Sequence, residues 1–230
     1  GFKGPQDVAV GNDGWLYVVN RFPGGGMGTP RSRFVRVRVD DTGYEEDIIA
    51  SLSGNQDPVG YETLPSPVMC TIDRKGILFL TDEHVNLVAK FDSRTGEAVG
   101  SWGKKGTGPG LLNAPSGIVI DNDENVWVVS TLNHRVDRFT IDGEHISSFG
   151  EFGTEEGQLN HPWGIAIDPI TETILVADWR NNRVQRFSPN GVLLQIIGGP
   201  GSGTTALNHP SGVAVDNEGD IYIADRSNDR

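Results

Sequence analysis

The residues best suited to bind a ligand are those at which one copy of a repeated segment differs from the others. The copies share a motif proline, and two residues after it three copies carry glycine, where Asp7 and Met69 stand in the other two. Arginine and tryptophan replace smaller residues at further shared positions, and their charge and ring faces suit an anionic or sugar-like ligand. We therefore predict six binding residues: Asp7, Arg21, Met69, Trp163, Trp179 and Arg226. For either tryptophan, packing between neighbouring repeats is the alternative.

Polar residues that recur from copy to copy are expected to support the fold. Asp178 and Asp225 end short apolar runs, and Ser130 takes the same place in another copy. An arginine follows five residues later, such as Arg183 after Asp178. A buried aspartate can accept backbone N–H groups of a turn and pair with this arginine. Because a catalytic group is needed only once, the repetition favours this structural interpretation.

The sequence carries no recognisable catalytic or metal-ligand motif. Its one cysteine, Cys70, lies in an apolar run and is expected to be a small buried core residue. The histidines lack zinc-ligand spacing, and His161 and His209 precede the motif proline, where a capping role is expected. No Ser-His-Asp triad can be argued from the spacing. We therefore predict no metal, no evident cofactor and no assignable catalytic residue.

The candidate residues are carried by an array of similar segments. The motif prolines recur every 47 or 48 residues, at Pro67, Pro115, Pro162 and Pro210. Each copy contains an alternating run, an apolar run and a second alternating run, separated by turn residues, which predicts four short strands. Acidic turns such as 121–125 and 216–220 lack calcium-loop spacing and are interpreted as hairpins. Four strands at this period are typical of a β-propeller blade.

The predicted fold is therefore an all-β propeller with four complete four-stranded antiparallel blades and a partial fifth. We place the repeats at approximately 4–50, 65–102, 113–150, 160–198 and 208–230, within one domain covering 1–230. First strands should include 117–120, 164–167 and 212–215, and the later strands of the fourth copy are predicted at 174–178, 183–187 and 192–197. The core should contain Ile118, Ile120, Val128, Val136, Phe139, Ile165, Ile167, Leu175, Val176, Val184, Phe187, Val213, Val215 and Ile223.

The repeated motif resembles a known family. The run LNHPWGIAID, followed by ILVAD and NNRVQRF, is similar to the NHL repeat. Residues 159–187 match it nearly throughout, 112–139 and 207–230 match well, 65–91 match in outline, and 4–37 match with a long insertion. The resemblance implies a β-propeller, usually of six blades. It implies no single activity, because the family includes adaptors, RNA-binding modules and lyases.

The sharpest enzyme comparison is with the peptidyl-hydroxyglycine lyase branch of these propellers. That branch carries arginines directly after second strands, which Arg21 and Arg226 match. It also places a zinc-binding histidine directly after the motif proline. Here that place holds Gln6, Val68, Ser116, Trp163 and Ser211. The zinc motif is therefore absent from this sequence, and zinc lyase activity is not expected.

The charge and hydrophobicity of the sequence make some classes of partner unlikely. The net charge is −12, with 31 acidic and 19 basic residues, which makes nucleic acid an unlikely partner because its binding needs a basic footprint. The one basic cluster, Arg31, Arg33, Arg36 and Arg38, is interpreted as a solvated edge strand rather than a phosphate site. No apolar run is long enough to span a membrane. The compartment stays open between secreted or periplasmic and cytoplasmic.

The placement of loops predicts one functional face. Two irregular insertions, 21–33 and 51–64, and the glycine-rich loops between blades are expected to extend the same face. Decorative loops are the alternative. The six candidate residues are expected to gather toward a central opening on that face. Four complete units and half of a fifth also suggest that the chain is a fragment of a longer protein.

From these observations we predict a ligand- or protein-binding interaction module. The alternative is a propeller-type lyase or hydrolase, similar to a peptidyl-hydroxyglycine lyase or a lactonase, with its site on the loop-rich face.

Overall fold

Strands and tight turns dominate the secondary structure of the residues that the structure describes. The computed structural model describes residues 5–21, 32–40, 43–51, 64–201 and 203–230, and for 32–34, 39–40 and 43–51 it describes the backbone alone. Among these residues there are eighteen strands, three single-turn 3₁₀ helices and no α-helix. The chain divides into two compact units, Gly1–Lys105 and Gly106–Arg230. The all-β prediction is confirmed.

The first unit contains two four-stranded antiparallel sheets, which are propeller blades. Blade 1 is built from β1 (Pro5–Val10), β2 (Leu16–Arg21), β3 (Ser32–Asp40) and β4 (Gly43–Ser51). Blade 2 is built from β5 (Pro67–Ile72), β6 (Ile77–Asp82), β7 (Leu87–Asp92) and β8 (Ala98–Trp102). Each strand pairs with the next along the chain, so the blades are meanders. The first strands β1 and β5 are neighbours.

The second unit contains two further complete blades and a two-stranded sheet. Blade 3 consists of β9 (Pro115–Ile120), β10 (Val126–Ser130), β11 (Arg135–Phe139) and β12 (His145–Phe149). Blade 4 consists of β13 (Pro162–Ile167), β14 (Ile174–Asp178), β15 (Arg183–Phe187) and β16 (Leu193–Gly198). The fifth sheet pairs β17 (Pro210–Val215) with β18 (Ile221–Asp225). The predicted first, second and third strands agree with these bounds, and the fourth strand of blade 4 starts and ends one residue later than predicted.

Aspartates close the hairpins between first and second strands. The Asp121 Oδ1 atom accepts the backbone N–H of Asn125 at 2.8 Å, and Asp216 does the same for Asp220 at 2.9 Å. Burial alone would raise the pKa of Asp121, but hydrogen bonds from Asn125, Trp127 and an arginine hold it below its usual value. The acidic turns are therefore hairpin closures, as predicted.

The core lies between sheets and is supplied mainly by second strands. All five residues of β10 and of β14 are buried, as expected for strands covered on both faces. Trp127, Val176 and Phe187 belong to one buried cluster that joins blades 3 and 4. The Phe187 ring lies 4.7 Å from that of Phe149, measured between ring centroids. Phe187 thus fills an inter-sheet position.

Most predicted core residues are buried, and the exceptions lie at two kinds of position. Nine are buried: Ile118, Val128, Val136, Phe139, Ile165, Leu175, Val176, Val184 and Phe187. Ile120, Ile167, Val213, Val215 and Ile223 are only partly buried. The first two lie at the hairpin end of their strands, and the other three belong to the two-stranded sheet. These three pack on one side against a cluster containing Leu175 and Val184, so one face of that sheet is covered.

Glycine allows the first strands of the second unit to approach closely. A Cβ on Gly117 would lie 2.6 Å from the carbonyl oxygen of Trp163, and one on Gly164 would lie 2.6 Å from that of Ser211. Neighbouring first strands therefore meet through backbone alone at this position. Within the described residues, no helix has the length and apolar character needed to cross a membrane.

A candidate binding site at the proline edge

Each sheet has an edge at which a first strand begins with proline and a second strand ends. Backbone register places Pro162 opposite Asp178, Pro115 opposite Ser130 and Pro210 opposite Asp225. We call this side the proline edge, and the side with the first-to-second strand turns the hairpin edge. All six predicted binding residues belong to proline edges. Asp7, Arg21 and Met69 lie in the first unit, and Trp163, Trp179 and Arg226 lie in the second.

A buried aspartate organises the proline edge of blade 4. Asp178, with no exposed surface, accepts the backbone N–H of Asn160 at 2.7 Å. Its Oδ2 atom accepts from Arg183 Nε at 2.8 Å and from the Asn181 amide at 2.8 Å. Arg183 extends to the Glu155 carbonyl oxygen and so fixes the loop between blades. Burial raises the pKa of Asp178, and these hydrogen bonds oppose the rise. The structural interpretation of this aspartate is confirmed.

Blade 3 keeps the same network after moving its carboxylate. Ser130 stands at the aspartate position, and its Oγ accepts the Asn113 N–H at 2.9 Å. Arg135 turns instead to Asp137, with its Nε atom 2.9 Å from Oδ1. Asp137 occupies the place that Gln185 holds in blade 4, opposite the middle of the second strand. The carboxylate has thus moved from the second strand to the third, and the arginine retains a buried partner.

Left-handed residues connect successive blades of the second unit. His134 (φ 55°) and Asn182 (φ 56°) each end a 3₁₀ turn in the left-handed region. Their side chains accept the backbone N–H groups that precede the next motif proline. His134 Nδ1 accepts from His161 at 3.1 Å, and Asn182 Oδ1 accepts from His209 at 2.9 Å. His161 and His209 each bond the side chain of the Asn before them through Nδ1, and their capping of backbone groups stays a prediction.

Trp179 lies at the centre of a continuous contact network on the proline edge. It is the first residue of a 3₁₀ turn, and its ring lies 4.9 Å from the ring of His209, between centroids. The Arg180 guanidinium stands over the Trp179 ring at 5.5 Å. His209 Nδ1 lies 3.4 Å from the hydroxyl of Ser227, the neighbour of Arg226. We name His161, Trp179, Arg180, His209 and Arg226 the Trp179 surface.

Two histidines and a phenylalanine extend this surface toward blade 3. The rings of His134 and His161 lie 4.7 Å apart edge to face, and the His134 ring lies 4.7 Å from Phe152. Phe152 is 64% exposed. Burial and then the charge of Arg180 lower the pKa of His134, while Asp178 opposes the shift. Burial, Arg180 and His134 lower the pKa of His161. The lowered pKa values favour the neutral form of both imidazoles.

Two arginines of the Trp179 surface lack a carboxylate partner. The second unit contains no lysine, and its arginines are Arg135, Arg138, Arg180, Arg183, Arg186, Arg226 and Arg230. Five of these pair with aspartates, at Asp137, Asp121, Asp178, Asp168 and Asp225. Among the described residues, Arg180 and Arg226 form no such pair. Both are exposed and both lie on the proline edge.

Trp163 contributes to the same edge in a different way. Its carbonyl oxygen accepts the Ser116 hydroxyl at 2.9 Å, and Ser116 lies 2.8 Å from Thr131 Oγ1. Thr131 in turn donates to the Pro162 carbonyl oxygen at 2.9 Å. This hydroxyl pair joins blades 3 and 4. The Trp163 indole is partly buried and makes no hydrogen bond or ring contact within the part of the chain that is described.

In the first unit, Asp7 connects two first strands. Its Oδ2 atom accepts the backbone N–H of Cys70 at 2.9 Å. Asp7 stands where glycine allows close strand approach in the second unit, so here a carboxylate occupies the space between neighbouring strands. Burial raises its pKa to about 6, against the lowering effect of hydrogen bonds from Cys70 and Val8. Cys70 itself is buried and donates toward the Tyr17 carbonyl oxygen, which confirms its predicted core role.

Arg21 and Met69 have partners inside the first unit. Arg21 Nη1 pairs with Glu83 Oε1 at 2.8 Å, and both side chains are partly exposed. Arg21 ends the second strand of blade 1 and Glu83 follows the second strand of blade 2, so the pair joins two proline edges. Met69 exchanges two hydrogen bonds with the Thr81 hydroxyl through its backbone, and its side chain is partly buried. That all six predicted residues surround one opening stays a prediction.

A small pocket lies at the hairpin edge of blades 3 and 4. It has a volume of about 60 Å³ and is lined by Asp121, Trp127, Arg138, Glu172 and their neighbours. Arg138 stacks over Trp127 at 4.8 Å and pairs with Asp121 at 2.8 Å. The guanidinium group that lines the pocket therefore already contacts a ring and a carboxylate. Across the described residues, no group of three histidine, cysteine or acidic side chains could hold a metal. The predicted insertions 21–33 and 51–64 lie largely outside the described residues.

Sequence reasoning missed Arg180, Phe152 and His134 as parts of the site. Arg180 replaces Leu132 of blade 3 in the middle of the 3₁₀ turn. This difference between the copies can be seen in the sequence, and it is of the same kind as the difference that marked Trp179 as a candidate. The contacts of Phe152 and His134 depend on how a loop between blades folds, and the repeat pattern does not specify this.

The comparison with protein families agrees with this architecture. The family described as NHL repeat matches residues 159–187 and 207–230. The chain carries NHL repeats. The matched segments run from the motif proline region of blade 4 through β15, and from the start of the two-stranded sheet through β18. Each NHL repeat therefore includes the proline edge, the Asp178-type aspartate and the arginine that pairs with it.

Solved structures share the fold at low sequence identity. A streptogramin B lyase structure aligns with a TM-score of 0.65 and 15% identity, covering 96% of this chain and 62% of the lyase chain. A chain of a nidogen/laminin complex aligns at 0.69 and 18%, with coverage of 97% and 72%. An auxiliary nutrient binding protein from Bacteroides ovatus aligns at 0.67 and 14%, with coverage of 100% and 58%. No curated protein matches the sequence.

These similarities establish the propeller fold and leave the activity open. The chain spans about three-fifths of the first of these proteins, 62% of its length. The similar structures include a lyase, a protein complex and a nutrient-binding protein, and at such identities a shared fold does not transfer a function.

Proposed function

We propose that this NHL-repeat propeller is an interaction module that binds a protein or small ligand through the Trp179 surface. The observation that carries this proposal is the combination of Trp179 with Arg180 and Arg226, which have no carboxylate partner among the described residues. Tryptophan and arginine dominate the energetics of many binding interfaces because they offer large contact areas and directed charge. The repeated Asp178-type networks beneath them hold these side chains on a rigid edge.

Structural relatives are consistent with binding roles. Nidogen is found in complex with laminin, and the Bacteroides ovatus protein is described as nutrient binding. A propeller that presents an embellished edge can take up partners without any reaction. The absence of an assignable catalytic set in the sequence favours binding over catalysis.

The test is a binding screen on peptide and glycan arrays with matched variants. Trp179→Thr installs the residue that blade 3 carries at the same place and removes the partly exposed indole ring. Ile170→Thr removes a 61% exposed side chain from the hairpin edge and serves as the control. We expect ligands retained by the unaltered protein to be lost with Trp179→Thr and kept with Ile170→Thr. Ligands indifferent to Trp179→Thr would contradict the proposal.

A lyase or hydrolase is the second candidate. It is favoured by Asp7, because a carboxyl group with a pKa near 6 is suited to general acid–base catalysis at neutral pH. The similarity to streptogramin B lyase is one of fold. Turnover of lactone or ester substrates that is abolished by Asp7→Asn and retained by Trp179→Thr would favour this candidate over the binding module.

A further inference from the structure

The Trp179 surface has a charge pattern that selects among ligand classes. In the second unit every other arginine is matched by an aspartate, whereas Arg180 and Arg226 face solvent without one among the described residues. A guanidinium binds a carboxylate through parallel hydrogen bonds, and such pairs are stronger than neutral ones. In a protein with a net charge of −12, two unmatched cations on one edge indicate an anionic partner.

A chain of contacts through two aromatic rings connects Arg180 with the neighbour of Arg226. Contacts run from Arg180 to the Trp179 ring, from that ring to His209, and from His209 to Ser227 beside Arg226. A ligand that follows these contacts from Arg180 toward Arg226 crosses the two rings. It is expected to carry an apolar or planar group between its charges, because a further anionic group placed over the electron-rich ring faces would lose water without gaining a partner.

Nucleic acid fits this pattern poorly. A polynucleotide carries a phosphate at every residue, and its affinity depends on many cations that follow the backbone. The second unit has no lysine, and only Arg180 and Arg226 lack an acidic partner among its described arginines. A peptide can place a carboxylate at each end of a short apolar stretch and carry no other charge, which matches two cations separated by rings.

We propose that the Trp179 surface binds an acidic peptide segment in which carboxylate side chains flank an aromatic or apolar residue. This inference rests on the proposed binding function and adds the chemical class of the partner. Arg180 and Arg226 hold the carboxylates, and Trp179 with His209 receives the residue between them. His161 lies beside Arg180 and borders the same surface.

A labelled peptide provides the direct test. The probe is a fluorescein-labelled synthetic peptide with glutamates on both sides of one tyrosine, and its affinity for the full chain is measured by fluorescence anisotropy. Peptides in which glutamine replaces every glutamate, or alanine replaces the tyrosine, separate the charge from the ring. A single-stranded oligouridine and a sialylated oligosaccharide, which carries its carboxylates on sugar, represent the other anionic classes.

The variants are chosen to leave the fold intact. Arg180→Gln combined with Arg226→Gln removes both unmatched charges, and we expect a loss of affinity of about tenfold or more for the glutamate peptide. Trp179→Thr should weaken the same peptide by a similar factor. Arg94→Gln removes an arginine charge from an exposed turn of blade 2, where the side chain is 72% exposed, and should change affinity less than twofold. Circular dichroism and thermal unfolding check that each variant is folded.

The outcomes separate this inference from the binding proposal. Tight binding of the glutamate peptide that is lost with the double arginine variant and with the glutamine peptide supports it. If the sialylated oligosaccharide or the oligouridine binds in a Trp179-dependent way and the peptide does not, the peptide inference is wrong and the binding proposal stands. If no array ligand depends on Trp179, both are wrong. Peptide binding that is unaffected by loss of both arginines also overturns the inference.

Discussion

Single residues at which one copy of the repeat differs from the others distinguish this chain, and Asp7 is the clearest case. It stands at a position where the three copies of the second unit carry glycine. Its carboxylate therefore occupies a space that has no side chain in those copies. The sequence revealed the departure but not its consequence, because the pKa depends on burial between two strands and on the Cys70 N–H group.

We expect Asp7→Asn to stabilise the protein at neutral pH. The folded-state pKa of about 6 lies above the ordinary value of 3.8, so the stabilising protonated form is lost as the pH rises through 6. Asparagine stays neutral and keeps an oxygen for the Cys70 N–H. Urea unfolding at pH 8 should show a gain of about 1–2 kcal/mol for a partly screened group, and the gain should vanish near pH 4. A gain that is independent of pH would contradict the cause assigned to it.

The histidines beside Arg180 give the peptide interaction a pH dependence. His134 faces Asp178, Arg180, His161 and the Phe152 ring, and its pKa is lowered by burial and by Arg180. As the pH falls below the ordinary histidine value, protonation adds positive charge while peptide glutamates stay ionised above their pKa near 4. We therefore expect the glutamate peptide to bind several-fold more tightly at pH 5.5 than at pH 7.5.

His134→Asn is the matched variant for this effect. Asparagine occupies the equivalent position of blade 4, where it adopts the same left-handed conformation and accepts the next N–H group. The variant should keep the connection between blades and lose part of the acid enhancement measured by anisotropy. An enhancement of unchanged size would contradict the role assigned to His134.

At the scale of the element, the proline edge shows one network with two arrangements. Blade 4 uses Asp178 on the second strand with Gln185 on the third, and blade 3 uses Ser130 with Asp137. The sequence predicted that Arg183 would meet Asp178, because the two recur at fixed spacing. It did not predict that Arg135 would pair with Asp137. The carboxylate has moved to the third strand in blade 3, which keeps the ion pair but changes the sequence spacing between its two residues.

Exchanging the arrangement tests whether the carboxylate or its position matters. Asp178→Ser should destabilise the protein by about 3–5 kcal/mol, because it leaves Arg183 buried without a charge partner. Adding Gln185→Asp installs the blade 3 arrangement and should restore at least half of that loss. Urea unfolding of the two single variants and the double variant gives the coupling energy. A double variant as unstable as Asp178→Ser would contradict the equivalence of the two networks.

At the scale of the whole molecule, the repeat predicted the fold well and the surface poorly. Period, strand alternation and buried second strands are imposed on every copy by packing, so they can be read from one sequence. The Trp179 surface depends on how loops from successive copies meet, as when Phe152 reaches His134. Such contacts occur once and leave no periodic signal. Residues Val213, Val215 and Ile223 show the same limit, because their burial depends on what packs on the second face of their sheet.

Phe187 tests the packing between sheets. It is 1% exposed and lies against Phe149 of the preceding blade. We expect Phe187→Ala to lower the free energy of unfolding by about 3–5 kcal/mol, measured in urea. Val192→Ala, at an exposed position in the following turn, is the control and should change stability by less than about 0.5 kcal/mol. A loss below about 1 kcal/mol for Phe187→Ala would show that the ring does not fill a packed site.

The left-handed residues that join successive blades make the opening of each junction measurable by amide hydrogen exchange. The N–H groups of His161 and His209 are held by side chains of the preceding blade, not by a strand of their own sheet. Each is therefore a reporter amide whose exchange with deuterium measures the separation of one pair of blades. In a protein stabilised by contacts between nearest neighbours, these two amides need not exchange at the same rate. Their protection factors would give the local opening free energy of each junction, without any substitution in the chain.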